Sequence, residues 1–267
     1  MIKASTEKEL NKVLDYIRPD KGSCIYLYID LLEYGLGNDF LDLWYAQDEK
    51  GLNFVIMRYH DSLQIYSHTT LWDKQALLDI IKQYNIKAVN AKTEMLDMIT
   101  PMLSGFEKRG GWMFEGSTKH KSKLISDVKV ELATEEDAEE IAELMCSSEH
   151  WRKLYNVQLL AEQLRERIKT GVGRSFVIRE GGKIVAHDGT FAETDDIVMC
   201  SGYTVKEDCI DKMYGPILGE YMDDVFLKEK KTKYFHISDV NMKKVLSKIK
   251  GNKLIAETGK LIRIEEN

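Results

Sequence analysis

The order of helical and strand-like segments occurs twice along the 267-residue chain, and that recurrence narrows the folds open to it. The first half opens with an amphipathic helix. Leu10, Val13, Leu14 and Ile17 fall at helical spacing behind Glu7 and Glu9, and Pro19 stops the run. A second helix over 22–35 ends at Gly35. Strand-like runs follow at 40–46, 52–59 and 62–67, with His60-Asp61 as a hairpin turn. Helix 72–84, strand 87–91, helix 92–103 and strand 106–115 then alternate.

A polar, basic stretch, Ser117-Thr118-Lys119-His120-Lys121-Ser122-Lys123, breaks this pattern and reads as a linker or a phosphate-contacting arm. Beyond it, strand 127–132 leads to Thr134 and Asp137, spaced as a capping box ahead of Ile141, Leu144 and Met145. Helix 157–170 presents Leu159, Leu160, Leu164 and Ile168 on one face and ends at Gly171-Val172-Gly173. Strands 175–179, 183–191 and 196–205 follow, the first pair joined through Glu180-Gly181-Gly182. Helix 216–228, strand 233–237, helix 240–249 and strand 252–258 close the half. The expected class is mixed α/β (α+β), with meander strands followed by parallel crossovers. The expected domains are 1–124 and 125–267.

Composition removes several function classes. Net charge is -6, which disfavours a chain whose main task is to grip nucleic acid or an anionic membrane. No apolar run approaches the ~20 residues that span a bilayer. The opening residues carry no basic-then-apolar leader, so a cytoplasmic protein is expected. Cys24, Cys146, Cys200 and Cys209 are far apart and form no C-x-x-C, so neither a disulfide framework nor a metal site is expected.

The second half resembles the GNAT superfamily of N-acyltransferases over about residues 127–264. The resemblance is carried by Ala133-Thr134-Glu135-Glu136-Asp137-Ala138, by Ser175-Phe176-Val177-Ile178-Arg179-Glu180-Gly181-Gly182-Lys183-Ile184-Val185-Ala186-His187, and by Ala192-Glu193-Thr194 and Gly202-Tyr203-Thr204-Val205. The first half is similar to the companion domain of a two-domain bacterial subgroup, which implies two tandem GNAT-like domains with a mixed sheet. The resemblance implies acetyl-CoA as cosubstrate, bound in a splay between the fourth and fifth strands. Tyr203, Thr204 and Val205 would pair with the pantetheine arm. Lys212, Met213, Tyr214 and Gly215 would hold the pyrophosphate where a helix begins. A small-molecule amine would then attack the thioester. Asn241 matches an asparagine often found early on the helix after the fifth strand.

The phosphate loop departs from the family pattern. Cys209 stands for its Arg or Gln, Lys212 for its first glycine and Tyr214 for its small final residue. Glu207, Asp208 and Asp211 add repulsion toward phosphate. Losing two or three hydrogen bonds to a charged group would cost roughly 3–9 kcal/mol, with Lys212 compensating in part as a point charge. With Gly215 as cap and Pro216 at the first helical position, the helix would also start late. Ser247 occupies the place of the family's acidic tyrosine.

Glu193 reads as general base or as a solvated loop carboxylate. His187 and His236 read as buried, hydrogen-bonded imidazoles or as proton-transfer groups. Trp151 and Tyr155 shape an acceptor pocket or simply pack a core. Two functions remain in view: an acetyltransferase of a small amine, and a non-catalytic descendant that binds another ligand or a protein partner.

Overall fold

The computed structural model describes residues 1–116, 127–153 and 155–264. The basic stretch 117–123 and the 124/125 division lie outside the described residues. In chain order the elements are β1 (Ile2–Lys3), α1 (Glu7–Ile17), α2 (Ile25–Tyr34), β2 (Leu41–Asp48), β3 (Gly51–Tyr59), β4 (Ser62–Tyr66), α3 (Lys74–Gln83), β5 (Ala88–Lys92), α4 (Thr93–Ile99) and β6 (Phe106–Glu115). Then come β7 (Val130–Leu132), α5 (Ala138–Cys146), α6 (Glu149–Arg152), α7 (Val157–Thr170), β8 (Ser175–Glu180), β9 (Lys183–Glu193) and β10 (Ile197–Val205). The chain continues through α8 (Tyr214–Glu229), β11 (Thr232–Ile237), α9 (Val240–Leu246) and β12 (Lys253–Arg263).

Contacts divide the chain into two compact units. One comprises Met1–Phe114, Ile237–Leu246 and the segment from Leu254 on. The other runs from Glu115 to His236 and adds Ser247–Lys253.

In the first unit, strands follow the order β1-β2-β3-β4-β5-β12-β6. The β2-β3-β4 meander is antiparallel, with His60 at φ 52 in the expected hairpin turn. β4 and β5 run parallel through Ser62/Ala88, Leu63/Val89 and Gln64/Asn90. Leu77, Ile80 and Ile81 of α3, with Met95, Leu96 and Ile99 of α4, pack against Phe54, Ile56, Leu63 and Ile65. The last strand, expected over 252–258 in the second half, instead extends to Arg263. It pairs antiparallel with β5 from Thr258/Lys92 to Ile262/Ala88. The alternation of a strand fixes which side chains share a face, not which neighbour it takes.

In the second unit the order is β11-β10-β9-β8-β7. β7 to β10 form an antiparallel meander, and β11 joins β10 in parallel after the α8 crossover. Alternation on β8 sets the two faces. Val177 points toward α5 and α7, while Phe176 and Ile178 point toward Leu218, Met222 and Phe226 of α8. The expected capping box opens the turn ahead of α5, with the Asp137 carboxylate accepting from the Thr134 amide. Asn156 caps α7, and Gly171 ends it in the left-handed region. The short α6, where Trp151 sits, was not anticipated. A four-residue helix carries no periodic signal.

Phe226 is fully buried between α8 and the sheet. Phe226→Ala is expected to lower unfolding stability by about 3–5 kcal/mol, read from urea denaturation.

Candidate functional site

The second unit's site begins where two parallel strands stop pairing. β10 and β11 are paired from Ile197/Thr232 to Cys200/Phe235 and no further. β10 continues to Val205 against β9 alone, so the β11-facing edge of Ser201–Val205 is left open among the described residues. The register with β9 shifts between Ser201/Gly189 and Thr204/His187, which places a bulge at Gly202-Tyr203.

Two demands make residue 202 glycine. Its φ is +103, and a Cβ there would lie 2.8 Å from His187 Cε1. His187 is 1% exposed. Its Nδ1–H donates to the Gly202 carbonyl at 2.8 Å, and its Nε2 accepts from the Ser175 hydroxyl at 3.1 Å. Burial lowers its pKa to about 4. His187 therefore stays neutral, with both ring nitrogens engaged, and pins the bulge. His236 is exposed on β11, and desolvation by the groups packed around it pushes its pKa down.

After β10 the chain makes a 3-10 turn over Glu207–Lys212. Met213 then takes the left-handed conformation (φ 61) and α8 starts at Tyr214. The expected start at 216, with Gly215 as cap, is two residues late. Pro216 sits at the third helical position, where an amide hydrogen is dispensable. It nevertheless removes one donor from the first turn, leaving Tyr214 and Gly215 to supply amides there. The Tyr214 side chain turns into the α8 core, where its hydroxyl bonds Glu180. Lys212 Nζ donates to the same carboxylate at 2.6 and 2.8 Å. Both are thus drawn to the β8 end. Tyr203, 51% exposed, lies across Gly215, where a Cβ would come within 2.1 Å of its hydroxyl. Cys209 is buried, and burial together with Asp208 raises its thiol pKa.

The Glu193 carboxylate is covered rather than solvated. Its carboxylate accepts from Arg174 Nε and Nη2 at 2.8 Å each, Lys231 Nζ at 2.8 Å and Thr190 Oγ1 at 2.7 Å. Burial pushes its pKa up, but Arg174, Lys231 and Thr190 outweigh burial and hold it below the ordinary value. Arg174 also binds Glu229, so the cluster ties β9 to the end of α8. Trp151 and Tyr155 pack against the α5–α7 core. Asn241 is exposed on α9, which belongs to the first unit. Tyr203, Thr204, Val205 and the 212–215 segment are thus brought together, and Asn241 is not part of that unit.

Sequence reasoning passed over Asp188. The signal was an acid inside the apolar run from Ile184 to Phe191, one residue from an inward-facing histidine. Asp188 opposes Phe176 on β8 and lies across from the Gly202-Tyr203 bulge on β10. It faces α8, where Asp223 pairs with Lys233 of β11.

The first unit treats its own divergence differently. Past Gln64/Asn90, the ends of β4 and β5 are bridged through Asp20, which accepts from Tyr66 Oη at 2.8 Å and Lys92 Nζ at 2.6 Å. Asp73 fills the start of the following helix by accepting from the Ala76 amide. A carboxylate already occupies the anion position there. The open edge belongs to the second unit.

No family model matches the sequence, and no curated protein matches it. Solved structures do match. An acetyltransferase of the GNAT family from Colwellia psychrerythraea aligns at a TM-score of 0.59 and 13% identity, over 98% of this chain and 100% of its own. A Drosophila protein aligns at 0.67 and 13% identity over 97% of each chain. A tandem GNAT protein from the clavulanic acid biosynthesis pathway aligns at 0.59 and 10% identity, over 100% of this chain and 99% of its own. Such identities establish fold. The chain has the mixed α+β fold of the GNAT acetyltransferases, as the residues of its second half implied. No helix among the described residues is long and apolar enough to cross a membrane.

Two outcomes are expected from these contacts. Glu193→Gln should destabilise the protein by up to about 3 kcal/mol in urea denaturation, because Arg174 and Lys231 lose their shared partner. The neutral His187 makes folding favourable above its unfolded pKa of 6.5, and that stability is lost as pH falls toward about 4. The loss, on the order of 3 kcal/mol, should be absent from the pH–stability curve of His187→Gln.

Proposed function

We propose that this protein transfers an acetyl group from acetyl-CoA to the amine of a small molecule, and that the second unit does so. One observation carries the reading. β10 and β11 part after Cys200/Phe235, beside a pinned bulge and just ahead of a helix start. An extended chain bearing amides can add itself to an open strand edge, which suits a pantetheine arm along Ser201–Val205.

The amides around Met213–Gly215 and the Lys212 charge would hold the diphosphate. For this, Lys212 must exchange Glu180 for phosphate. Both groups lie at the surface, 46% and 38% exposed, so the exchange costs little. Tyr203 must turn off Gly215, and its exposure leaves it room to do so. The bulge would orient the thioester carbonyl, while the half-exposed Tyr203 forms one wall of the acceptor cleft.

A second reading keeps the ligand and drops the reaction. It is favoured by the full engagement of Glu193 and His187, which leaves neither free to move a proton.

A thermal-shift titration tests the ligand. Acetyl-CoA at about 1 mM, a hundredfold over a Kd near 10 µM, adds about 2.7 kcal/mol and should raise the melting temperature by about 5 °C. Lys212→Glu should weaken the effect about tenfold in apparent affinity. The absence of any rise at that concentration would overturn both readings. A rise without release of free CoA thiol in the presence of primary amines would select the second.

A further inference from the structure

We propose that Asp188 is the base that takes the proton from the acceptor amine, an assignment that rests on the acyl-transfer function proposed above. Its place in the sheet is the first argument. The β9–β10 register leaves Gly202 and Tyr203 opposing Asp188, and only Ser201 separates them from the last β10–β11 pair at Cys200/Phe235. Asp188 therefore stands one strand in from the divergence, across β10 and level with the place where the reacting carbonyl of an acyl thioester lying along β10 would sit. Glu193 is five residues further along β9, at the opposite end of the strand pair.

The second argument is what Asp188 does not do. Its Oδ1 accepts the backbone amide of Gly189 at 2.8 Å, and no other hydrogen bond to its carboxylate occurs among the described residues. The neighbouring Lys233 ammonium is bonded to Asp223 instead. Asp188 is only partly exposed, so a carboxylate oxygen has been brought out of bulk water without a dedicated partner. Glu193, also partly buried, is by contrast bonded to Arg174, Lys231 and Thr190.

The third argument is electrostatic. The charged and titratable groups that face Asp188 are Asp223 of α8, Lys233 of β11, and Cys200 and Tyr203 of β10. β8 contributes Phe176. Two carboxylates thus share one ammonium. Burial is the main influence on Asp188 and Asp223 adds to it, while the Gly189 amide and Lys233 oppose. The balance lifts its pKa to about 6. Near neutral pH such a carboxylate is mostly ionised, yet close enough to its pKa to accept a proton efficiently.

The step balances without any further reagent. The nitrogen lone pair of the neutral amine attacks the thioester carbonyl carbon, and the C–N bond forms. The C–S bond breaks, and its electron pair leaves on the CoA sulfur. The proton shed by nitrogen passes to Asp188 and from there, directly or through water, to the thiolate. The carboxylate is regenerated, and the products are an amide and free CoA thiol.

The test compares wild type, Asp188→Asn and Asp188→Glu in the full chain. CoA thiol release is followed with 2-phenylethylamine, spermidine and lysine amide as acceptors, and acetyl-CoA binding is measured separately by calorimetry. The expected result is a kcat lower by about 10²- to 10⁴-fold in Asp188→Asn, acetyl-CoA affinity within about threefold of wild type, and partial recovery in Asp188→Glu. The wild-type kcat should rise with pH through about 6, and the variant should lose that limb. An active wild type with Asp188→Asn within about threefold of it would overturn the assignment and leave the acyl-transfer reading standing. Binding of acetyl-CoA with no transfer by wild type to any of the three amines would overturn the assignment and the reaction together. No binding would remove the site itself.

Discussion

The His187 imidazole, sealed inside the second unit, bonds the Gly202 carbonyl on one side and the Ser175 hydroxyl on the other, and so joins three adjacent strands at one point. The Thr204 hydroxyl adds a second bond to the same carbonyl, at 3.3 Å. The carbonyl of Gly202 is turned inward, its φ is one that only glycine adopts readily, and the space where a Cβ would project is filled by the imidazole ring. Because the bulge falls just after the last rung shared with β11, the same contact decides where β10 is released from its parallel neighbour. The open edge, the aim of Tyr203 toward Gly215 and the position of Asp188 opposite the bulge all follow from it.

Three acidic side chains on one side of the unit show how environment sorts chemically similar groups. Glu193 is surrounded by two cations and a hydroxyl and serves as a tie between β9 and α8. Asp223 shares an ion pair with Lys233. Asp188 has a single backbone amide. A carboxylate with saturated lone pairs can neither take up a proton nor admit a ligand without breaking strong, partly desolvated bonds, whereas one left short of partners can do both. The two units differ by the same logic. In the first, Asp20 spans the parting strands from Tyr66 to Lys92 and Asp73 caps the next helix, so its divergence is closed by its own side chains.

Much of this architecture was legible in the sequence. The meanders, the α7 helix over 157–170, the Thr134/Asp137 box and the Gly35 and Gly171 stops are local events, set by period, caps and turn residues within a few positions. The features that escaped are those in which partners far apart in the chain decide. β12 reads as a strand but carries no mark that it pairs with β5. Glu193 in Glu193-Thr194-Asp195-Asp196 reads as a surface loop acid until Arg174 and Lys231 are placed around it. Met213 takes a left-handed conformation unusual for its residue type, which starts α8 two residues early and turns Tyr214 inward. Asp188 was hidden by a neighbour, because the histidine beside it drew the chemistry while alternation put the acid on the other face.

The account stands or falls on whether the edge of β10 beyond Cys200 receives an acyl thioester. Amide hydrogen exchange, resolved to single residues with and without saturating acetyl-CoA, reads that edge directly. Protection should grow within Ser201–Val205 and around Met213–Gly215, and should be unaltered in β4 and β5 of the first unit. Unchanged exchange across Ser201–Val205 under the same conditions would contradict it.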